Sequence, residues 1–112
     1  MLPDENRLRL ATDFNRLRKN GNKFVHPLVV LVYIANQQND SRFAFPASRK
    51  VGGAVQRNRA RRLLREAVRY HLEDIKPGID CILIARSKTT QANLNEVVNA
   101  LDQLLKRADL KK

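Results

Sequence analysis

Cysteine is nearly absent from this sequence. Cys81 is the only cysteine among 112 residues, which excludes an internal disulfide and any zinc site built from several cysteines. A lone thiol is typical of proteins in a reducing compartment, so we expect a cytoplasmic protein.

Long hydrophobic runs are also missing. The longest apolar run, Leu28 to Ala35, is far shorter than the about 20 residues that a membrane-spanning helix needs. Residues 1–11 lack the continuous apolar stretch of a secretory signal. No repeat, low-complexity tract or linker marks a boundary, so we expect one domain over residues 1–112 and no membrane partner.

Acidic residues are scarce relative to basic ones. The chain has 22 Lys and Arg against 11 Asp and Glu, a formal net charge of +11, and 43% of its residues are hydrophobic. That hydrophobic content is sufficient for a folded core. The excess positive charge indicates a polyanionic partner, because docking on a polyanion relieves the repulsion and releases counterions.

The N-terminal half predicts one helix followed by two strands. A first helix runs from Thr12, its expected N-cap, to Gly21, a usual C-terminal signal. The apolar, β-branched segment 28–35 predicts a buried strand, and segment 42–47 predicts a second strand that pairs with it as a hairpin. Pro46 cannot donate a ladder hydrogen bond, so this strand is expected to end there or lie at a sheet edge.

The C-terminal half predicts two long helices around one buried strand. Helical periodicity continues from Ala60 until just before Pro77, and segment 80–85 is a buried strand by composition. A last helix spans 93–108, and Asn93 with Glu96 resembles a capping box. The predicted order α-β-β-α-β-α indicates an α/β (α+β) two-layer sandwich, with three helices on a small mixed sheet of about four strands.

Positive charge is concentrated around the first of these long helices. Residues 42–72 contain eight Arg and one Lys but a single acid, Glu66, which leaves a local excess of eight positive charges. Helical spacing places four polar side chains opposite the apolar stripe, with Arg61 at its margin; these four are Asn58, Arg62, Arg65 and Arg69. One face of this helix packs, and the other presents guanidinium groups.

Such a face could simply be solvated. A solvated face usually mixes signs to gain favourable pairs, whereas like charges here repel one another. Arginine's planar fork suits phosphate and base contacts. No apolar face is left over for a lipid interface. These features favour nucleic acid as the partner.

The segment that carries these arginines resembles a known family. Residues 48–66, SRKVGGAVQRNRARRLLRE, are similar to the signature of the bacterial ribonuclease P protein family, which centres on an Arg-Asn-Arg helix. The resemblance extends to Asp13-Phe14, Gly21, Ile84-Ala85-Arg86 and the leucine-rich last helix. Nearly the whole chain follows the family's order.

The resemblance implies a subunit of a ribonucleoprotein endonuclease that removes 5′ leaders from precursor tRNA. The partners it implies are the catalytic RNA and precursor tRNA, with no protein partner required. Catalysis would reside in the RNA, which would also hold most of the Mg²⁺, so no catalytic or metal-binding residue is assigned to this chain. The family fold further implies a left-handed β-α-β crossover, against the usual right-handed preference.

Two groups of site residues follow from the resemblance. Those aligned with the family's contacts to the RNA subunit are Arg49, Lys50, Arg57, Asn58, Arg61, Arg62, Arg65 and Arg69. Those aligned with its leader-binding cleft are Phe14, Arg18 and Lys88. Arg18 replaces an aromatic residue common in the family, which predicts a more electrostatic leader contact. The aromatic residues of segment 43–47 also differ from the family pattern.

Other functions remain open from the residues alone. His26 and His71 are the only histidines, and no Ser-His-Asp, Cys-His or clustered-carboxylate arrangement indicates catalysis by the chain itself. A structural ribosomal protein or a general RNA chaperone would share the basic helix. A DNA-binding regulator is disfavoured, because no compact helix-turn-helix precedes the arginine-rich helix.

Overall fold

The computed structural model describes residues 6–8 and 11–112. Seven helices and strands follow one another in these residues, in the order α-β-β-β-α-β-α. They are α1 (Ala11–Asn20), β1 (Asn22–His26), β2 (Val29–Ala35), β3 (Arg42–Ala44), α2 (Ala54–His71), β4 (Ile79–Ala85) and α3 (Leu94–Arg107). Short 3₁₀ turns occupy Arg49–Val51, Leu72–Asp74 and Ser87–Gln91.

The four strands form one mixed sheet in the order β1-β2-β4-β3. β4 pairs antiparallel with β2 along its full length, from Val29 opposite Ala85 to Ala35 opposite Ile79. On its other side β4 pairs in parallel with β3. The mixed four-stranded sheet with three helices is therefore as predicted. The parallel strands β3 and β4 are connected through α2, so β3-α2-β4 is the β-α-β crossover of this chain. The left-handedness that the family resemblance implies for it stays a prediction.

The predicted hairpin between segments 28–35 and 42–47 is wrong. β4 lies between these two strands, because its residues are nearly all buried and require a central position with neighbours on both sides. The actual hairpin is β1 with β2. The sequence did not predict β1, since its five residues, NKFVH, are mostly exposed and give only a weak strand signal.

The ends of several elements follow from local chemistry. β3 ends at Ala44, before Pro46, as expected for a strand that proline terminates. In the capping box of α3, the Glu96 amide donates to Asn93 Oδ1 at 2.9 Å, and the Asn93 amide donates to Glu96 Oε1 at 3.0 Å. The Gly21 amide donates to the Leu17 carbonyl at 2.9 Å where α1 ends. The side chain of Thr12, the predicted cap of α1, lies outside the described part of the structure.

Two cores lie on opposite faces of the sheet. The larger core joins α2 and α3 to one face and includes Leu31, Leu64, Leu83 and Leu104, none more than 1% exposed. The smaller core contains Leu17 of α1, Val32 and Ile82 on the opposite face. α1 covers only part of this second face, and the rest of the face lines an open cavity.

Candidate nucleic-acid interface

Helix α2 has one buried side and one exposed side. Its buried residues are Ala60, Leu64, Ala67, Val68 and His71. Because side chains three or four residues apart share a face of a helix, Asn58, Arg62, Arg65 and Arg69 form a row on the opposite side. We call this row, together with the basic residues of the preceding turn, the arginine face; that turn contributes Arg49 and Lys50.

Several cations of the arginine face have no partner in the part of the chain that the structure describes. Within the described residues, the side chains of Arg49, Lys50, Arg62 and Arg65 form no hydrogen bond or ion pair. Arg69 lies 3.8 Å from Glu66, with both side chains well exposed, so solvent screens this pair and it contributes little. An external anion can therefore reach these groups without displacing a strong internal contact.

Two predicted RNA contacts that flank the arginine face, Arg57 and Arg61, make local contacts. Arg57 Nη1 donates to the carbonyl of Gly52 at 3.1 Å, and Arg61 Nη1 donates to Asn58 Oδ1 at 3.0 Å. The first contact holds the Arg57 side chain against the turn before the helix. The second orients the Arg61 guanidinium along the helix surface. Each arginine keeps further N–H donors for a ligand.

Arg59 is directed elsewhere. Its Nε donates to the Thr90 carbonyl at 3.1 Å, and its Nη2 donates to the Ala92 carbonyl at 3.2 Å. Both acceptors lie at the end of the 3₁₀ turn Ser87–Gln91, more than 30 residues along the chain. At 100° per residue, position 59 lies about 100° from position 58 and about 120° from position 65 around the helix, so helical spacing could have placed Arg59 to one side of the row.

A groove lies on the sheet face that α1 leaves uncovered. At its first end, a cavity of about 400 Å³ is lined by Arg18 and Gly21 at the end of α1, by Lys23 of β1 and by Ser48. Its apolar lining comes from Val32, Pro46, Ile82 and Ile84. This composition combines an aliphatic floor with positively charged walls.

The groove continues beyond this cavity towards the turn after β4. A second depression of about 370 Å³ shares Lys23, Ser48 and Ile84 with the first. A third, of about 430 Å³, shares Arg86 with the second and reaches Lys88. Basic side chains line the whole path, and none of the described lining residues is acidic; the basic ones are Arg18, Lys23, Lys50, Arg86 and Lys88.

The three residues predicted to bind a leader are placed differently. Arg18 lines the first cavity and Lys88 the third. Phe14 is half-buried and packs against the smaller core around Leu17, and it is not among the residues that line the groove. Sequence reasoning missed Lys23 and Arg86 as lining residues, and recognising β1 as a strand would have placed Lys23 on this face.

A buried carboxylate fastens α1 beside the groove. Asp80 of β4 has no exposed surface and accepts hydrogen bonds from Arg42 Nε at 2.8 Å and Arg42 Nη2 at 2.7 Å. It also accepts from Arg16 Nη2 of α1 at 2.5 Å and from Asn36 Nδ2 at 3.0 Å. Two of the chain's arginines are therefore used to hold the fold together.

Both histidines make structural contacts. His26 Nδ1 accepts from the Leu28 amide at 3.0 Å within the β1–β2 turn. His71 is buried, and its Nε2 lies 3.0 Å from the Val98 carbonyl, which joins α2 to α3. No group of three or more His, Cys, Asp or Glu side chains in the described part of the chain is arranged to hold a metal ion. Among the described helices, none is long and apolar enough to cross a membrane.

Comparison with known proteins identifies the family. The family model described as Ribonuclease P matches residues 2–109. The chain belongs to the Ribonuclease P family. It is 36% identical to the ribonuclease P protein component of Clostridioides difficile over 92% of this chain and 91% of that relative. It is 38% identical to the component of Herpetosiphon aurantiacus over 93% of this chain and 85% of that relative.

Solved structures of Ribonuclease P family members share the fold. The Staphylococcus aureus RNase P protein superposes with a TM-score of 0.85 at 29% identity, covering 96% of this chain and 98% of that one. The Thermotoga maritima RNase P protein superposes with a TM-score of 0.81 at 32% identity, covering 90% and 96%. These matches cover at least 90% of this chain, the chain on which the arginine face and the groove lie.

Proposed function

We propose that this chain is the protein subunit of ribonuclease P and that it binds two RNA elements on two adjoining surfaces, which meet at Lys50. The arginine face binds the catalytic RNA. The groove binds the single-stranded 5′ leader of precursor tRNA. The enzyme that results is an endoribonuclease of tRNA maturation in which this chain is an accessory subunit.

One observation carries the first assignment: α2 directs a row of arginines outward while its other side is buried in the core. Arg62 and Arg65 have no partner among the described residues. A folded RNA offers closely spaced phosphates to such a row, and each guanidinium can contact one bidentately. Family membership supports the identification of that RNA as the RNase P RNA.

The groove supports the second assignment through its shape and charge. An aliphatic floor accommodates the faces of unpaired bases, while Arg18, Lys23 and Lys88 along its length attract backbone phosphates. Among the described residues that line the groove, none is aromatic. We therefore expect the leader to be held more by charge than by stacking, and with little preference for base sequence.

Mg²⁺ and cellular location complete the proposal. The Mg²⁺ of the reaction is, in this proposal, held mainly by the RNA, as the family resemblance implies. That ion would supply Lewis-acid activation of the cleavage reaction. This chain would contribute binding and orientation of the two RNAs. The single, buried Cys81 is compatible with the reducing cytoplasm.

The salt dependence of binding tests the arginine face. Arg62→Ala and Arg65→Ala should each reduce the slope of log Kd against log salt for the catalytic RNA by about 0.9 if the contacted segment is helical. At 0.15 M salt, a reduction of this size in the slope corresponds to a loss of affinity of about fivefold. Fluorescence anisotropy across a salt series measures both quantities.

Lys112→Ala is the matched control, because it removes one exposed positive charge that is not part of the arginine face. It should leave the slope unchanged. An unrelated ribosomal RNA fragment serves as a competitor, since a general RNA chaperone would bind it as tightly as the catalytic RNA. If both arginine variants keep the wild-type slope, the assignment of the arginine face is wrong.

A further inference from the structure

The turn Ser87–Gln91 lies between the two proposed RNA-binding surfaces. Its Ser87 and Lys88 line the far end of the groove, and its C-terminal end contacts α2 through Arg59. We propose that Arg59 is a positioning residue, which fixes this turn so that Lys88 faces the groove, and not a contact to the catalytic RNA. This inference depends on the proposed function, because it assigns a separate task within it.

The geometry of Arg59 carries the inference. Its Nε and Nη2, on one edge of the planar guanidinium, donate to the carbonyls of Thr90 and Ala92 at 3.1 and 3.2 Å. A bidentate arrangement of this kind fixes the orientation of both partners, which a lysine with a single ammonium group does not reproduce. Among the described residues, Arg59 is the side chain of α2 that hydrogen-bonds this turn.

The same turn is anchored from two other directions. Thr89, which is fully buried, donates from Oγ1 to the Leu28 carbonyl at 2.5 Å and thereby joins the turn to the β1–β2 connection. Ser87 Oγ donates to the Lys50 carbonyl at 3.2 Å and joins it to the turn before α2. Ser87 thus anchors the start of the turn, Thr89 anchors its middle, and Arg59 anchors its end.

The consequence of losing Arg59 differs from that of losing a phosphate contact. Thr89 and Ser87 would still anchor the turn, but its end at Thr90 and Ala92 would lose its hydrogen bonds to α2. Thr90 Oγ1 donates to the Ser87 carbonyl at 2.9 Å, so the turn would pivot as a unit about its two remaining anchors and carry Lys88 with it. Leader binding should weaken, whereas the outward row of α2, with Arg62 and Arg65, should remain intact.

The test separates the two surfaces in the reconstituted holoenzyme. The affinity for a precursor tRNA with a single-stranded leader is divided by that for the same tRNA without a leader, which gives the leader gain. Arg59→Ala should lower the leader gain by up to about fourfold at 0.15 M salt, the limit set by complete loss of one phosphate contact on a single strand. Its salt slope for the catalytic RNA should equal that of the wild type.

Two further variants make the result specific. Arg59→Lys keeps the charge but can reach only one carbonyl, so its leader gain should fall between those of the wild type and Arg59→Ala. Arg62→Ala should do the reverse of Arg59→Ala, with a lower salt slope for the catalytic RNA and an unchanged leader gain. Thermal melts monitored by circular dichroism identify any variant that is unfolded at the assay temperature. If Arg59→Ala is unfolded, the leader gain of the charge-preserving Arg59→Lys variant alone tests the inference.

Two outcomes would overturn the inference while leaving the proposed function in place. One is a drop of about 0.9 in the catalytic-RNA salt slope for Arg59→Ala, equal to that of Arg62→Ala. The other is a wild-type leader gain in every folded Arg59 variant. Failure of the proposed function itself looks different, because the wild type would then have no leader gain and Arg62→Ala would have no effect on the slope.

Discussion

Replacing Asp80 with asparagine should remove a large part of the stability of the fold. The carboxylate is fully buried and accepts two hydrogen bonds from Arg42, one from Arg16 and one from Asn36. The asparagine side chain would be neutral and would turn an NH₂ group towards donors that need an acceptor. Arg42, whose side chain is 20% exposed, would lose a bidentate counterion in a place that water reaches poorly.

The size of the effect follows from this burial. Breaking a buried ion pair by changing one partner costs about 3–5 kcal/mol when the remaining charge is left uncompensated. Arg16 and Arg42 each have a further interaction, so their charges would be only partly uncompensated. The Arg16 side chain is 37% exposed, so water can partly replace that contact, and we expect a value near the lower end, about 3 kcal/mol. A domain of this size is stable by about 5–15 kcal/mol, so the loss is a substantial fraction.

Urea unfolding at pH 7 measures this change. Asp102→Asn is the matched control, since Asp102 also pairs with two cations, Lys106 and Lys111, but at the surface. It should cost no more than about 1 kcal/mol. The reasoning is refuted if Asp80→Asn is destabilised no more than this control. Hydrogen exchange should also show faster opening of α1 in Asp80→Asn, because Arg16 links that helix to β4.

Three smaller predictions test other parts of the fold. Burial raises the pKa of the Cys81 thiol, so iodoacetamide should modify it only after unfolding; rapid reaction of the native protein would contradict this. Hydrogen bonds from Lys111 and then Lys106 lower the pKa of Asp102 from 3.8 to about 2, so its contribution, present above pH 3.8, should disappear between pH 3.8 and 2. Asp102→Asn should flatten the pH dependence of unfolding in that window by less than about 1 kcal/mol; an unchanged profile would contradict this. A Cβ at Gly21 would lie 2.6 Å from Val32 Cγ1 and closer still to the Leu17 carbonyl, so Gly21→Ala should lower the Tm, whereas Gly53→Ala, with its nearest contact at 3.1 Å, should not lower it as much.

Periodicity was sufficient for the elements whose signal is local. Helix α3 begins after Asn93 as the capping box predicts, since both hydrogen bonds of that motif join residues three apart. The buried strand 80–85 agrees with β4 to within one residue, because an apolar run such as Cys81 to Ala85 between turn residues has few alternatives. Each of these predictions depends only on residues that are close in sequence.

Strand pairing was not predictable in the same way. A polar turn between two apolar segments usually indicates a hairpin, but here segment 36–41 joins β2 to β3 across the position that β4 occupies. The decisive contacts are between β2 and β4, about 50 residues apart in the sequence. The order of the strands can be predicted only by comparing how much burial each strand requires. β4 takes the central position because it is the most completely buried strand.

The arginine cluster illustrates the same distinction in the site itself. The excess of eight positive charges in residues 42–72 predicts an anionic partner, but it does not say which arginines meet that partner. Arg42 binds Asp80, 38 residues away, and Arg59 binds the Thr90 carbonyl, 31 residues away. The charge and helical spacing of the arginine-rich segment do not indicate either acceptor, because both lie far away in the sequence. The cations left for RNA are those without such a distant acceptor, so the interface of this chain is defined as much by the sheet and the Ser87–Gln91 turn as by the arginine-rich helix.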